Sequence, residues 1–212
     1  MIDNYTVLEN GLIKQDTFFN HKRIYDVDYI KNSYDKYNEL SKYMSYLRLG
    51  YLLGVVGNNI NSILDVGYGN GDFLKVAKTK IPNCFGFEVN DYTLPEQCFP
   101  VTDIYEREYD VVCFFDVLEH FENIYEIKQL KTKYIYISVP ECHNFSDEWF
   151  SQWKHRRPDE HLWHFNLDSL KNFMNEIGFT FVNSSNIEDS IRKPTSQQSN
   201  ILTAIFKNNN FL

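Results

Sequence analysis

Residues 62–74 read Ser-Ile-Leu-Asp-Val-Gly-Tyr-Gly-Asn-Gly-Asp-Phe-Leu: an apolar run closed by an acid, then glycine at every second position, then the start of a helical pattern. Few folds accommodate that order. Ile63, Leu64 and Val66 suit a strand buried in a parallel sheet, and the glycines permit positive φ and leave no Cβ between the backbone and a ligand. A helix opening at Asp72 would aim its free N–H groups and the positive end of its dipole at the same crevice. The spacing is G-x-G-x-G, not the G-x-G-x-x-G of dinucleotide sites, because position 72 is Asp. Asp65 can also accept a hydrogen bond from a ligand ammonium, which a pyrophosphate does not carry.

Strand and helix signals alternate from residue 62 to 182, which predicts an α/β sheet with helices on both faces. Strands are expected at Cys84–Val89, at Phe99–Val101 on a sheet edge because of Pro100, at Asp110–Phe115, Tyr134–Val139, Phe179–Val182 and Ile201–Phe206. Helices are expected over Asp72–Lys80, Ile124–Lys131 and Leu167–Ile177, the last with Asn166 as N-cap and Gly178 beyond its end. Ile30, Tyr34, Tyr37, Met44, Leu47 and Tyr51 recur at helical spacing, so one or two helices should fill Asp26–Val56. The first 25 residues have no clear period. The Ser-, Asn- and Gln-rich stretch Ser184–Asn200 reads as a mobile connection. The chain thus divides into an N-terminal helical extension (1–57) and a nucleotide-binding domain (58–212) carrying a polar, aromatic insert at 141–166.

With 212 residues, 43% of them apolar, the chain can build a full core. Its net charge of -8 argues against a nucleic-acid backbone or an anionic membrane as partner. The four cysteines form no C-x-x-C pair, so neither a disulfide framework nor a zinc site is expected. No apolar run is long enough to span a bilayer and no targeting pattern opens the chain, so a cytoplasmic protein is expected.

Three features in sequence order, Asp65-x-Gly67-x-Gly69-x-Gly71, Glu88 after the second strand, and Tyr109-Asp110-Val111-Val112-x-Phe114-Phe115-Asp116-Val117-Leu118-Glu119-His120, resemble a class I S-adenosylmethionine-dependent methyltransferase. So does Glu160-His161-Leu162-Trp163-His164-Phe165. The likeness is to the small-molecule group that includes ubiquinone-biosynthesis-like and sugar-associated enzymes, and it covers roughly residues 60–207. It implies a three-layer sandwich around a Rossmann-like, mostly parallel seven-stranded sheet. It further implies S-adenosylmethionine as cofactor, S-adenosylhomocysteine (SAH) as product, and a cofactor site made of Asp65, Gly67, Tyr68, Gly69, Gly71, Glu88, Val89, Asp103, Ile104, Phe115 and Asp116. In that site Glu88 would accept both ribose hydroxyls, Asp103 and Ile104 would meet the adenine, and Phe115 and Asp116 would line the methionine end and face the acceptor.

The basic segment Trp153–His161 stands out in an acidic chain. Arg156 and Arg157 are expected to hold an anionic group of the acceptor, with His120 nearby, and His155 or His161 to act as general base beside Asp116 if the acceptor is a hydroxyl. One carboxylate and one imidazole at Glu119 and His120 fall below a usual ligand count, and the histidines at 155, 161 and 164 lie among Trp153, Trp163 and Phe165 as in a packed lid, so no metal is expected. The strand end lacks the Asn/Asp-Pro-Pro-aromatic motif of amino-group methylation on adenine or glutamine, and no Pro-Cys nucleophile occurs. A small-molecule acceptor follows, methylated on oxygen, nitrogen or carbon. Two alternatives stand beside this reading: a non-catalytic S-adenosylmethionine-binding protein, and a nicotinamide-dependent oxidoreductase or epimerase.

Overall fold

The computed structural model describes residues 2–19, 38–194 and 197–211. Its centre is a seven-stranded sheet built from β3 (Ser62–Val66), β4 (Asn83–Phe87), β5 (Phe99–Pro100), β6 (Tyr109–Phe115), β7 (Thr132–Pro140), β9 (Phe179–Ser185) and β10 (Ile201–Asn208), in the order β5-β4-β3-β6-β7-β10-β9. The first five run parallel, and β10 lies antiparallel to both β7 and β9. β6 is buried at every position, as a central strand covered on both faces must be. The proline-bearing β5 sits at the edge, where no ladder N–H is demanded of Pro100.

Alternation along the strands sorts the core into two layers. Ile63, Cys84, Val111, Cys113 and Tyr136 pack against α1 (Asn38–Val56) and α2 (Asp72–Ala77) through Leu49, Leu52, Phe73 and Leu74. Leu64, Val112, Phe114, Ile135 and Ile137 face the other way, onto Leu170, Phe173 and Met174 of α4 (Leu167–Glu176). Asn166 caps α4 in a reciprocal pair with Ser169, and Gly178 beyond it takes φ 95°. Among the described residues no helix is long and apolar enough to cross a membrane.

Several expectations change. The helix expected at Ile124–Lys131 is a 3-10 segment, Ile124–Gln129, capped by Asn123, because the β6-to-β7 crossover is short. Within Asp26–Val56, helix is present over Asn38–Val56, and residues 20–37 lie outside the described ones. The extension is not purely helical. β1 (Tyr5–Val7) and β2 (Ile13–Gln15) form a hairpin, and β2 pairs with β8 (Trp163–His164) of the insert to give a separate three-stranded sheet. The insert also contains α3 (Asp147–Gln152), capped by Ser146. The connection expected to be mobile carries a 3-10 turn, Ile187–Ser190, whose Glu188 is fully buried.

Candidate functional site

The glycine loop follows β3 directly. Gly67, Gly69 and Gly71 all adopt positive φ, at 72°, 51° and 73°. A Cβ on Gly67 would lie 2.6 Å from Val117 and one on Gly71 would lie 2.5 Å from Pro95, so only glycine fits either position. Gly86 on the neighbouring strand is equally tight, against Tyr68 and Leu94. Tyr68 is fixed by its hydroxyl, which donates to the Tyr92 carbonyl at 2.8 Å.

Glu88 follows β4 and its carboxylate reaches the loop. One oxygen accepts the Gly69 N–H at 3.0 Å, and the other accepts the N–H groups of Val89 and Asn90. Val89 itself is exposed. Asp103 accepts the Tyr105 N–H in a local turn, with Ile104 buried beside it. Asp65 is buried near the end of β3, where burial pushes its carboxyl up to about 7, Arg48 opposing and Glu88 adding to the shift.

At the carboxyl end of β6, Phe115 lies under the Arg48 guanidinium, 4.1 Å from ring centroid to Cζ. Asp116 adopts φ 56° and donates its N–H to the Ser138 carbonyl, which turns its side chain out of the strand. Both its oxygens accept from Arg192 at 2.8 Å, and Arg48 stands 3.6 Å away. Burial raises the Asp116 carboxyl, but Arg192 and Arg48 outweigh it and hold the group below its ordinary value. Arg48, Arg192 and their shared partner Glu188 were not singled out in the sequence. The available signals were one arginine inside the apolar stripe of α1, and a Glu-x-x-x-Arg spacing hidden in a polar connection.

The insert histidines separate into two environments. His155 is buried and bonded to Asn200 at 2.9 Å, with burial pushing it down to about 4. That side-chain bond ties it to the residue just before β10. His161 instead packs edge-on to His120, centroids 4.7 Å apart, and burial pushes it down to about 2. Glu119 completes this second group: Glu119, His120 and His161 offer donor atoms all within 4.8 Å of one another. Burial, then Asp116, drives the Glu119 carboxyl well above its ordinary value.

The two arginines expected to clamp an anion point to other partners. Arg156 lies over the Tyr5 and Phe150 rings, at 5.1 and 5.8 Å, which draws it beneath the N-terminal hairpin. Arg157 pairs with Glu160 at 3.1 Å, near the surface. The cations beside Asp116 are Arg48 and Arg192.

Over residues 23–184 the sequence matches the methyltransferase domain family. The chain belongs to that family. No curated protein matches it. Among solved structures, the plantazolicin methyltransferase BpumL in complex with a triazolic desmethylPZN analogue and SAH is 17% identical, with TM-score 0.60 over 87% of this chain and 92% of that one. Magnesium protoporphyrin IX methyltransferase from Synechocystis PCC 6803 with bound SAH is 12% identical, with TM-score 0.55 over 79% and 83%. An S-adenosylmethionine-dependent methyltransferase from Clostridium acetobutylicum ATCC 824 is 11% identical, with TM-score 0.56 over 85% and 98%. At these identities the likeness is one of fold. The methyltransferase uses S-adenosylmethionine as donor and releases SAH.

Proposed function

We propose that this methyltransferase methylates a small, anionic or sugar-like acceptor that enters between the end of β6 and the 141–166 insert. The bound donor supplies an electrophilic methyl group on sulfonium. The chain's own residues then have three tasks: to hold the donor, to align the acceptor, and to keep water out.

The glycine loop gives the donor a close backbone approach, and Glu88 turns one carboxylate toward it for the ribose diol. Asp65, whose carboxyl feels the Arg48 charge, and Arg48 itself offer an acid and a cation matched to the ammonium and carboxylate of an amino-acid moiety. Asp103 and Ile104 are assigned to the adenine and Phe115 to the methionine end, with Tyr68 and Val89 completing the wall.

The acceptor reading is carried by one observation: Asp116 leaves β6 in a left-handed turn and is held between two half-buried arginines on the side where Glu119, His120 and His161 gather. Polar groups concentrated at a strand end suit a polar acceptor. His161 is the base candidate we retain, since His155 is committed to Asn200. Arg157 is retained at the entrance for an acceptor anion, and Arg156 is assigned to packing.

Label transfer from methyl-tritiated S-adenosylmethionine to a panel of phosphorylated sugars, hydroxyl acids and phenols tests the reading. Transfer to at least one anionic or sugar-like class is expected. Tight SAH binding with no transfer to any acceptor would favour a binding protein instead.

A further inference from the structure

The insert and the segment leading into β10 enclose a cavity of about 400 Å3, within the range of about 300–1,000 Å3 usual for small-molecule sites. None of the residues grouped around Asp116 lines it. The two chain segments that line it differ in chemistry. The insert contributes Trp149 on α3 and Trp153 directly after it, stacked at 24° with ring centroids 5.4 Å apart. The segment before β10 contributes Gln198, Ser199 and Asn200.

Both segments are fixed by contacts of their own. Phe150 of α3 is buried in a small apolar cluster with Tyr5 and Ile13, and His143 and Phe145 pack edge-on to Trp149. Asn200 donates its backbone N–H to Asp189 and its side-chain amide to the Arg192 carbonyl, each at 2.9 Å. The Ser199 carbonyl accepts from His143 Nε2 at 2.9 Å, which joins the two segments.

The indoles and the lysine beside them have no partner for their N–H groups. Trp163 gives its indole N–H to the Phe121 carbonyl, whereas those of Trp149 and Trp153, both half-buried, make no hydrogen bond among the described residues. Lys154 also lines the cavity and makes neither a hydrogen bond nor an ion pair among the described residues. Burial, then the Arg192 charge, lowers its pKa against the opposing pull of Asp189, so an anion placed beside it would stabilise the ammonium.

A flat aromatic ligand would leave the amide and hydroxyl groups uncovered, and a lone anion would leave the indoles uncovered. A sugar ring matches both, with a C–H face for an aromatic ring and hydroxyls that donate and accept along its rim. We propose that this cavity binds a sugar ring carrying a phosphate or carboxylate, its C–H face on Trp149 and Trp153 and its anionic group at Lys154. Two hydrogen-bonded contacts, Asn200 to the Arg192 carbonyl and Arg192 to Asp116, connect the cavity to the proposed acceptor side. The ring held here would then be the part of the acceptor remote from the methylated atom. That link rests on the proposed function; binding of the sugar does not.

The test uses full-length protein with no donor present. Glucose 6-phosphate, mannose 6-phosphate, ribose 5-phosphate and glucuronic acid are titrated by calorimetry and tryptophan fluorescence, beside methyl glucoside, inorganic phosphate and 4-hydroxybenzoate. At least one anionic sugar is expected to bind at one site per chain, about tenfold or more tighter than inorganic phosphate or methyl glucoside. Trp149→Ala and Lys154→Met should each weaken that binding by about tenfold, and Trp149→Phe should retain most of it. SAH affinity should be unchanged in these variants. Failure of every anionic sugar to bind overturns the proposal. So does equal binding of phosphate alone, tighter binding of 4-hydroxybenzoate, or sugar binding that survives both substitutions. If Trp149→Ala fails to fold, Lys154→Met and the wild-type comparisons decide. Absence of SAH binding by the wild type would instead count against the proposed function.

Discussion

Arg48 of α1 and Glu188 of the 3-10 turn after β9 meet in a two-pronged ion pair, Nε to Oε1 at 2.7 Å and Nη2 to Oε2 at 3.0 Å. Glu188 is fully buried, and Arg192 adds a contact at 3.3 Å. The pair spans 140 residues of sequence and fastens the connection between β9 and β10 to the helix that precedes the glycine loop.

Glu188→Ala should therefore destabilise the protein strongly. Removing one partner leaves the Arg48 charge buried with only Asp116 at 3.6 Å, a change expected to cost about 3 kcal/mol or more. Urea unfolding followed by circular dichroism measures it, and a loss below about 1 kcal/mol would show that the pair contributes little.

Glu88→Ala should weaken SAH binding by roughly 1–3 kcal/mol, because it removes both the assigned diol acceptor and the acceptor of the Gly69 N–H. Calorimetry reads this directly. Unchanged affinity would take Glu88 out of the donor site.

Gly71→Ala should cost roughly 1–3 kcal/mol of stability or donor affinity, since φ 73° strains an alanine and its Cβ would lie 2.5 Å from Pro95. Thermal melts with and without SAH separate the two effects. A variant indistinguishable from wild type in both would mean that the loop relaxes freely.

Asp65 gives the protein a pH signature. Its folded value of about 7 lies above the ordinary 3.8, so the folded state keeps a proton that the unfolded chain gives up. The stability contributed by this group is full below the unfolded value and is lost as pH rises through about 7. Asp65→Asn should consequently gain stability relative to wild type between about pH 4 and about pH 7 and level off above that. If Asp65 accepts the donor ammonium, wild-type SAH affinity should instead rise over that interval, with proton uptake or release visible in buffers of different ionisation enthalpy. A flat difference between the two proteins would contradict the assignment.

Arg192→Ala should raise the acceptor KM by about tenfold while leaving SAH affinity nearly constant, because a charged bond to Asp116 is worth about 1.5–3 kcal/mol. Equal loss of both would place Arg192 in the donor site.

The residues assigned to the donor form a local group in the sequence, and the structure keeps them together. Asp65, the glycines and Glu88 fall on one β-turn-α-β passage, and the strand ends that position them follow from alternation and breakers. Phe99–Pro100 at the edge and Asn166 as a helix cap were equally legible, each resting on the chemistry of one residue type. The groups assigned to the acceptor are scattered along the chain. Glu119 and His161 are 42 positions apart, and nothing in their spacing reveals that a backbone bond from Leu162 brings them together. Arg156 looked free because the hairpin that captures it lies about 150 residues earlier. Residues 5–15 lacked a helical period because they form two three-residue strands, too short for alternation to register.

The small sheet formed by β1, β2 and β8 makes two stretches about 150 residues apart partners in one structure. Lys14 pairs with Trp163 and Ile13 with His164, while the Gln15 side chain donates to Asp159. The unit to which the acceptor side is assigned above is thus assembled from two distant stretches, residues 2–17 and 141–166. Grafting the insert alone onto another scaffold would leave β8 without its neighbour, so selectivity in such chimeras should travel only when both pieces are moved together.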